Sequence, residues 1–160
     1  MKPLKKVLLL LGLSLYTITI QPAKHDVDLN DLYWMSLNIY YEAGNQSAYG
    51  KIAVGVVTRN RVNHADLFEK TVEDVVKEHR QFSWYNNKKV IIPPSVNAAW
   101  RESVSIAKYV LKLPQDHDII DRFRGVTHYH ATYVKPKWKN YMIKVAQIED
   151  HIFYRMKDKK

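Results

Sequence analysis

The sequence predicts a mainly helical α+β domain with a small β-hairpin or sheet near its C-terminal end. Apolar residues recur at three- and four-residue spacing in several stretches before residue 113, which is typical of amphipathic and buried helices. Runs rich in β-branched and aromatic residues at 126–133 and 148–154 favour short strands. With 160 residues, 46% hydrophobic and 26% charged, the composition is that of one globular domain. We place this domain at residues 28–156, followed by a basic tail at 157–160.

The first 23 residues have the pattern of a secretory signal peptide. A start with three lysines precedes an uncharged apolar run over residues 7–20, and Ala23 is a candidate cleavage site. The run is shorter than the roughly 20 residues that a transmembrane helix needs. Gln21 stands where a small residue is preferred for cleavage, so an uncleaved signal anchor is the alternative. Either form predicts export to the periplasm, the cell wall or the extracellular space.

Cysteine content and charge narrow the class of protein. The chain has no cysteine, which excludes disulfides and thiolate metal sites. Its formal net charge is +9 at pH 7, and three of the lysines lie in the first 23 residues. A basic surface attracts polyanions such as nucleic acid or an anionic cell envelope. Because export is predicted, we expect the envelope rather than nucleic acid as the partner of a monomeric protein.

The first predicted helix carries the candidate catalytic residue, Glu42. This helix has a cap at Asp28 or Asn30 and one apolar stripe, which consists of Leu32, Met35, Ile39 and Ala43. Gly44 favours a left-handed exit from the helix, which places Glu42 in the last turn. The helix dipole disfavours a carboxylate at that end, so we expect a raised pKa. A glutamic acid that stays protonated near neutral pH can act as a general acid. The alternative for Glu42 is a solvated surface residue.

A helix with almost no polar face follows Glu42 in the sequence. Val54 and Gly55 occupy positions where a surface helix would carry polar residues, and no charged residue follows them until Arg59. The main apolar face consists of Ala48, Ile52, Ala53, Val56 and Val57. Such a helix belongs at the centre of a domain. Its position directly after Glu42 predicts that the acid is held on rigid scaffold.

Two further helices are predicted downstream. Residues 71–74 form a capping box for a short helix that carries Val72, Val75 and Val76. Ser95 is the predicted cap of the longest helix, Val96 to Lys112, which Pro114 ends. Its predicted apolar face consists of Val96, Trp100, Val104, Ala107 and Leu111. Residues 115–125 are polar in their first half and predict a surface loop.

Two segments combine aromatic and polar side chains. Residues 80–87 place aromatic rings beside hydroxyl and amide groups, a combination that binds sugar rings, although aromatic residues after a helix are also common core residues. In the strand predicted at 126–133, His128 and His130 share one face and Tyr129 lies on the other. The two histidines are candidate metal ligands, polar residues of a glycan cleft, or ordinary surface or core histidines.

Three segments together resemble the SleB-type cell-wall hydrolases, a spore cortex-lytic family with bacteriophage relatives. The segment IYYEAGNQSAYGKIAVGVVTRNRV is similar to the glutamate motif of that family, RQFSWYNN to its QFS element, and THYHATYVKPKW to its late aromatic segment. The segments occur in the family's order and cover roughly residues 32–154. The family usually has Arg-Gly after Glu-Ala, whereas this chain has Gly44 and Asn45, so no positive charge directly follows the acid.

The resemblance implies a lysozyme- or lytic-transglycosylase-like fold that cleaves the β-1,4 bond between N-acetylmuramic acid and N-acetylglucosamine. It implies Glu42 as general acid/base without a cofactor or metal, and peptidoglycan as the partner. The implied substrate-binding residues are Ser83, Trp84, Tyr85, Asn86, His128, Tyr129, His130, Tyr133 and Trp138, while Phe82 is expected in the core. No second carboxylate lies in a comparable motif, so the attacking group is either the hydroxyl of the muramic acid ring or water.

Two other classes of function remain as alternatives. The first is a metal-dependent wall peptidase or amidase that uses His128 and His130. The second is a non-catalytic module that binds glycan or nucleic acid through basic and aromatic residues. The first predicts sensitivity to a chelator, and the second predicts binding without cleavage.

Overall fold

The computed structural model describes residues 27–64, 66–86 and 90–157. The predicted signal segment, Asn87 and residues 158–160 of the tail lie outside the described residues. The elements are α1 (Leu29–Ala43), α2 (Ala48–Asn63), α3 (Val72–Lys77), α4 (Ser83–Asn86), α5 (Ala98–Lys112), α6 (Asp118–Arg122), β1 (Val126–Ala131), β2 (Met142–Ile148) and β3 (His151–Met156), with a 3-10 helix at Lys137–Tyr141. Within the described ranges, no helix has the length and apolar character needed to cross a membrane.

The first helix forms as predicted, with one face in the core. The Asp28 carboxylate caps it by accepting hydrogen bonds from the backbone N–H groups of Asn30 at 2.8 Å and Asp31 at 3.0 Å. The predicted stripe is buried, since Met35, Ile39 and Ala43 are fully enclosed and Leu32 packs at the edge of the core. Glu42 lies one residue before the end of this helix.

The second helix is the central one. Its buried residues lie on all sides and include charged and polar ones, and it packs against α1, α3, α5 and β1. Ala53, Val54, Val56 and Val57 have no exposed surface, as the uniformly apolar pattern predicted. Ala48 is exposed, so its predicted place on the buried face is wrong. It lies in the first turn, where the helix emerges from the core.

The exit from α1 differs from the prediction. Gly44 has φ −57° and ψ −28°, which is right-handed, so the predicted left-handed turn is wrong. Close approach explains why glycine fits here, because a Cβ atom at this position would clash with the carbonyl oxygen of Tyr40. The last turn of α1 therefore passes directly into the connection to α2.

The helices after α2 follow the prediction in part. Thr71 caps α3 as predicted, with its hydroxyl oxygen accepting from the Asp74 N–H at 3.1 Å. The longest predicted helix begins two residues late, because the Asn97 side chain, rather than Ser95, caps it by accepting from the Trp100 N–H. Its buried residues are Ser103, Ile106, Ala107 and Val110, so of the predicted face only Ala107 is buried. The predicted loop at 115–125 contains α6, which buries Ile120.

The sheet has three antiparallel strands in the order β1-β3-β2, whereas the sequence predicted two. The unpredicted strand β2 pairs along β3, and a bulge follows Val126 in β1. The β2–β3 turn is tied to the connection between α1 and α2. There, the Glu149 carboxylate accepts from the Ser47 N–H at 2.8 Å, and Gln46 donates to the Asp150 carboxylate at 3.1 Å. These bonds hold the sheet against the end of α1, beside Glu42.

Candidate active site

A cavity of about 350 Å³ lies between the end of α1, the segment before α4 and the strands β1 and β3. The residues that line it are Tyr41, Glu42, Arg61, Gln81, Ser83, Tyr129, His130, Ala131, Tyr133, Val134 and His151. Among the described residues in this lining, Glu42 is the only carboxylic acid. The cavity therefore presents one acid among phenols, imidazoles and a guanidinium.

Glu42 is held by a phenol and surrounded by protein. The Tyr129 hydroxyl donates a hydrogen bond of 2.9 Å to Glu42 Oε2. Burial raises the pKa of the Glu42 carboxyl above its ordinary 4.5, and the Tyr129 bond and the Arg61 charge oppose that rise. The raised direction agrees with the sequence expectation, but the largest cause is burial rather than the helix dipole. Burial also raises the pKa of Tyr129 well above 10.0, so the phenol remains a donor.

Arg61, near the end of α2, supplies a positive charge to the cavity. Only 5% of its surface is exposed, and its Nε donates to the Thr127 carbonyl at 2.8 Å. Its guanidinium lies over the rings of Phe82 at 5.0 Å and Phe68 at 5.5 Å. No positively charged residue directly follows Glu42 in the sequence. In the fold, however, the Arg61 charge is close enough to lower the pKa of Glu42. Arg61 lies inside the recognised glutamate motif, but no role was predicted for it.

An aromatic stack supports the wall beside Glu42. Tyr41 lines the cavity, and the Trp84 ring stacks on it at 4.7 Å with an interplanar angle of 10°. The Trp84 Nε1–H donates to Asn38 Oδ1 at 3.1 Å, and the buried Asn38 in turn donates to the Thr58 hydroxyl at 3.0 Å. The Tyr41 hydroxyl donates to the Ile91 carbonyl and accepts from the Ile91 N–H. This wall is therefore fixed from both sides.

The cavity contains five of the ten residues that sequence analysis assigned to the site. They are Glu42, Ser83, Tyr129, His130 and Tyr133. The predicted residues Trp84, Tyr85 and Asn86 are not part of the lining, and Trp84 stacks on the lining residue Tyr41. Tyr85 packs edge-on against Trp34, and Asn86 accepts from the Arg80 N–H. Phe82 is buried, as predicted, with 2% exposure.

His128 and Trp138 form a separate cluster. The Trp138 ring lies 5.4 Å from the His128 ring and 5.6 Å from the His130 ring, so the two histidines share a face, as predicted. Tyr129 points the other way, toward Glu42. His128 and Trp138 do not line the cavity, and burial together with the Arg61 charge lowers the pKa of His128 to about 4. Trp138 thus packs on the face of β1 that carries His128 and His130, opposite to Tyr129.

The two histidines do not form part of a metal-ligand cluster. Within residues 27–64, 66–86 and 90–157, no group of three or more His, Asp or Glu side chains is placed to hold a metal ion. Both nitrogens of His130 are engaged, since Nδ1 lies 2.9 Å from the Ala131 carbonyl and Nε2 lies 3.0 Å from the Tyr154 hydroxyl. His128 Nδ1 lies 2.9 Å from the Thr127 hydroxyl. The metal-dependent alternative therefore has no ligand set in this part of the chain.

Four polar cavity residues were not assigned from the sequence: Tyr41, Arg61, Gln81 and His151. Tyr41, Arg61 and Gln81 lie inside the motif segments that were recognised, but no role was predicted for them. His151 begins β3, and no motif marks it. Only the pairing of β3 with β1 brings its ring within 5.3 Å of the Tyr129 ring.

Comparison with known proteins identifies the family. Residues 45–154 match the model of the Cell Wall Hydrolase family, a region that begins three residues after Glu42. No curated protein matches the chain significantly. The structure is similar to the catalytic domain of the Bacillus cereus SleB protein, with a TM-score of 0.61, 23% identity, and coverage of 82% of this chain and 94% of that one. It is also similar to the catalytic domain of the germination-specific lytic transglycosylase SleB from Bacillus anthracis, with a TM-score of 0.63, 23% identity, and coverage of 82% and 99%.

These likenesses confirm the predicted fold, a lysozyme-like domain that is mainly helical with a small sheet. The family match covers more than half of the chain and therefore decides between an enzyme and a non-catalytic binding module. A non-catalytic binding module is the wrong class, because the family consists of hydrolases. The chain belongs to the cell wall hydrolase family and is an enzyme that acts on peptidoglycan.

Proposed function

We propose that this enzyme cleaves the β-1,4 bond between N-acetylmuramic acid and N-acetylglucosamine, with Glu42 as general acid and then as general base. One observation carries the proposal. A single carboxyl group with a raised pKa lies in the wall of an open cavity, hydrogen-bonded to a buried phenol. A protonated carboxyl group beside a glycosidic oxygen is the first requirement for cleaving a glycosidic bond.

The first step is proton donation. Glu42 gives its proton to the bridging oxygen while the bond from that oxygen to the anomeric carbon of the muramic acid breaks. The carboxylate that results keeps the Tyr129 hydrogen bond and faces the Arg61 charge. Both interactions favour the ionised form, so they stabilise the product of the transfer more than the acid before it.

The second step is attack on the anomeric carbon. With one carboxylic acid in the described lining, the arrangement lacks the second carboxylate of ordinary glycosidases. The primary hydroxyl of the same muramic acid ring can attack instead, and well-oriented intramolecular reactions reach effective molarities of about 10⁵ M or more. In the simplest scheme the Glu42 carboxylate takes the proton of that hydroxyl. The product then carries a 1,6-anhydro ring, as in lytic transglycosylases.

The mouth of the cavity fits a glycan strand. Tyr133 lines the cavity while 84% of its surface is exposed, so one ring face is open for stacking on a sugar. Ser83, Tyr129 and His130 are proposed as further substrate contacts from the same lining. Trp84, Tyr85, Asn86, His128 and Trp138 would then support these contacts from behind.

The cellular setting is part of the same proposal. An enzyme that acts on peptidoglycan works at the wall, so we propose that residues 1–23 direct export and that the basic surface favours the anionic envelope. We further propose that the domain acts as a monomer and does not bind nucleic acid. Export and charge then serve the same purpose, which is to bring the cavity to its polymer.

Product analysis tests the proposal. Purified peptidoglycan is digested with the enzyme in the presence of a chelator, and the released fragments are identified by mass spectrometry. We expect fragments that end in 1,6-anhydromuramic acid. Reducing muramic acid ends would keep the acid role of Glu42 but replace the ring hydroxyl by water. Newly exposed amino groups from cleaved peptide bonds, or loss of activity in the chelator, would contradict the proposal.

A further inference from the structure

His151 lines the cavity but has no part in the two steps described above. His151 is the first residue of β3 and is 8% exposed. It lines the same cavity as Glu42, and its ring meets the Tyr129 ring edge-on at 5.3 Å and 89°. Since Tyr129 bonds to Glu42, the imidazole and the acid lie on two sides of one phenol.

His151 differs from the other cavity histidine in its hydrogen bonding. Both nitrogens of His130 are bonded within the protein, because Nδ1–H donates to the Ala131 carbonyl and Nε2 accepts from the Tyr154 hydroxyl. Neither ring nitrogen of His130 is therefore free to take a proton from a substrate. His151 Nδ1, in contrast, is enclosed without a hydrogen-bond partner among the described residues, which leaves Nε2 as the nitrogen for a ligand in the cavity.

The carboxylates next to His151 in the sequence are occupied elsewhere. The Glu149 carboxylate accepts from the Ser47 N–H, and the Asp150 carboxylate accepts from the Gln46 side chain. Neither is hydrogen-bonded to the imidazole, so they do not fix it as a structural ion pair. A neutral imidazole in the wall of a cavity, without a hydrogen bond from either ring nitrogen to the described residues, can act as a general base.

We propose that His151 is a second catalytic residue, the base that takes the proton of the attacking hydroxyl. The inference rests on the proposed glycan cleavage. It keeps Glu42 as the acid and gives to His151 the base step that the simplest scheme above gives to the Glu42 carboxylate. The hydroxyl oxygen bonds to the anomeric carbon and passes its proton to His151, while the bond to the bridging oxygen breaks and that oxygen takes the proton of Glu42. Afterwards His151 loses its proton to solvent and Glu42 regains one, which restores the enzyme.

The surroundings of the two groups suit this division. Burial lowers the pKa of His151 below 6.5, with a smaller contribution in the same direction from His130, while the charges of Asp150 and Glu149 raise it. The Tyr129 ring packs edge-on against the His151 ring, and its hydroxyl has a pKa well above 10.0. Burial raises the pKa of Glu42. The two shifts therefore widen the pH range in which the imidazole is neutral and the acid is protonated.

The test compares His151→Gln and His151→Asn with wild type. Either amide keeps a polar group near one ring nitrogen but takes up no proton. We expect kcat to fall about 100-fold with KM little changed, and the acidic limb of the pH profile to disappear. His79→Gln is the matched control, because His79 is exposed and lies outside the cavity. Thermal unfolding of each variant shows whether it is folded.

The outcomes separate this inference from the proposed function. If a folded His151 variant retains kcat within about threefold of wild type, or keeps the acidic limb, His151 is not the base. If the variants instead raise KM and leave kcat unchanged, His151 is a binding residue and the inference is also wrong. A Glu42→Gln enzyme that still releases anhydro ends would overturn the proposed function itself, whatever the His151 variants do.

Discussion

Replacing Glu42 by glutamine is expected to lower kcat by about 10²- to 10⁴-fold, the usual contribution of a general acid. The amide has the same size and can still accept the Tyr129 hydrogen bond through its oxygen, but it has no acidic proton. The measurement is the rate of release of soluble fragments from purified peptidoglycan. Glu69→Gln is the matched control, because Glu69 is exposed and lies outside the cavity.

The same variant has a second readout in stability. A carboxyl group whose pKa is raised by folding binds its proton more tightly in the native state, so its ionisation destabilises the fold as pH rises through the native pKa. Glutamine cannot ionise. We therefore expect Glu42→Gln to be more stable than wild type at pH 7, with the difference vanishing below pH 4.5, where both states of the wild type are protonated. Equal stability at both pH values would contradict a raised pKa.

Replacing Arg61 by methionine is expected to have the second largest effect. The substitution keeps an unbranched apolar stem but removes the charge that lowers the pKa of Glu42. The alkaline limb of the pH profile should therefore move to higher pH, and kcat should fall on the order of 10-fold, because the Glu42 carboxylate formed during the reaction loses a stabilising cation. Rates across the pH range measure both changes.

Arg61 also contributes to stability. Its removal leaves the Thr127 carbonyl without the Nε donor, and Thr127 is fully buried. Leaving a buried acceptor unpaired costs about 1 to 3 kcal/mol of the free energy of unfolding. Arg61→Lys is the companion variant, which keeps the charge and should leave the alkaline limb near its wild-type position. If the methionine and lysine variants have the same pH profile, the electrostatic role of Arg61 is wrong.

The parts of the fold that sequence predicted best are those with a local cause. The stripe through Met35 and Ile39 repeats at helical spacing, and the Thr71 cap needs only residues within one turn. Strand β2 was not predicted because both of its faces are only partly buried. Its sequence, with residues such as Lys144 and Val145, therefore lacks a regular alternation of apolar and polar residues. The start of α5 was misplaced because both Ser95 and Asn97 are good caps, and tertiary packing selects the second.

The site was less accessible to sequence than the fold. Glu42 could be singled out because it ends a helix directly before a core helix. The role of Arg61 could not be predicted, because an arginine near a helix end is usually solvated. Here its side chain is buried beside the Phe68 and Phe82 rings and bonds to the sheet at Thr127. His151 becomes part of the cavity through strand pairing over a long stretch of chain, as in Ala131 opposite His151. Contacts between residues so far apart in the chain leave no pattern in the local sequence from which they could be predicted.

The most direct test of the central claim is the pKa of the Glu42 carboxyl group in the folded enzyme. Carbon-13 NMR of side-chain carboxyl groups would follow its titration, with Glu42→Gln used to assign the signal. We predict a pKa above the ordinary 4.5, in agreement with the alkaline limb of the activity profile. A pKa at or below 4.5 would leave Glu42 ionised at neutral pH and would contradict its role as the acid that starts glycan cleavage.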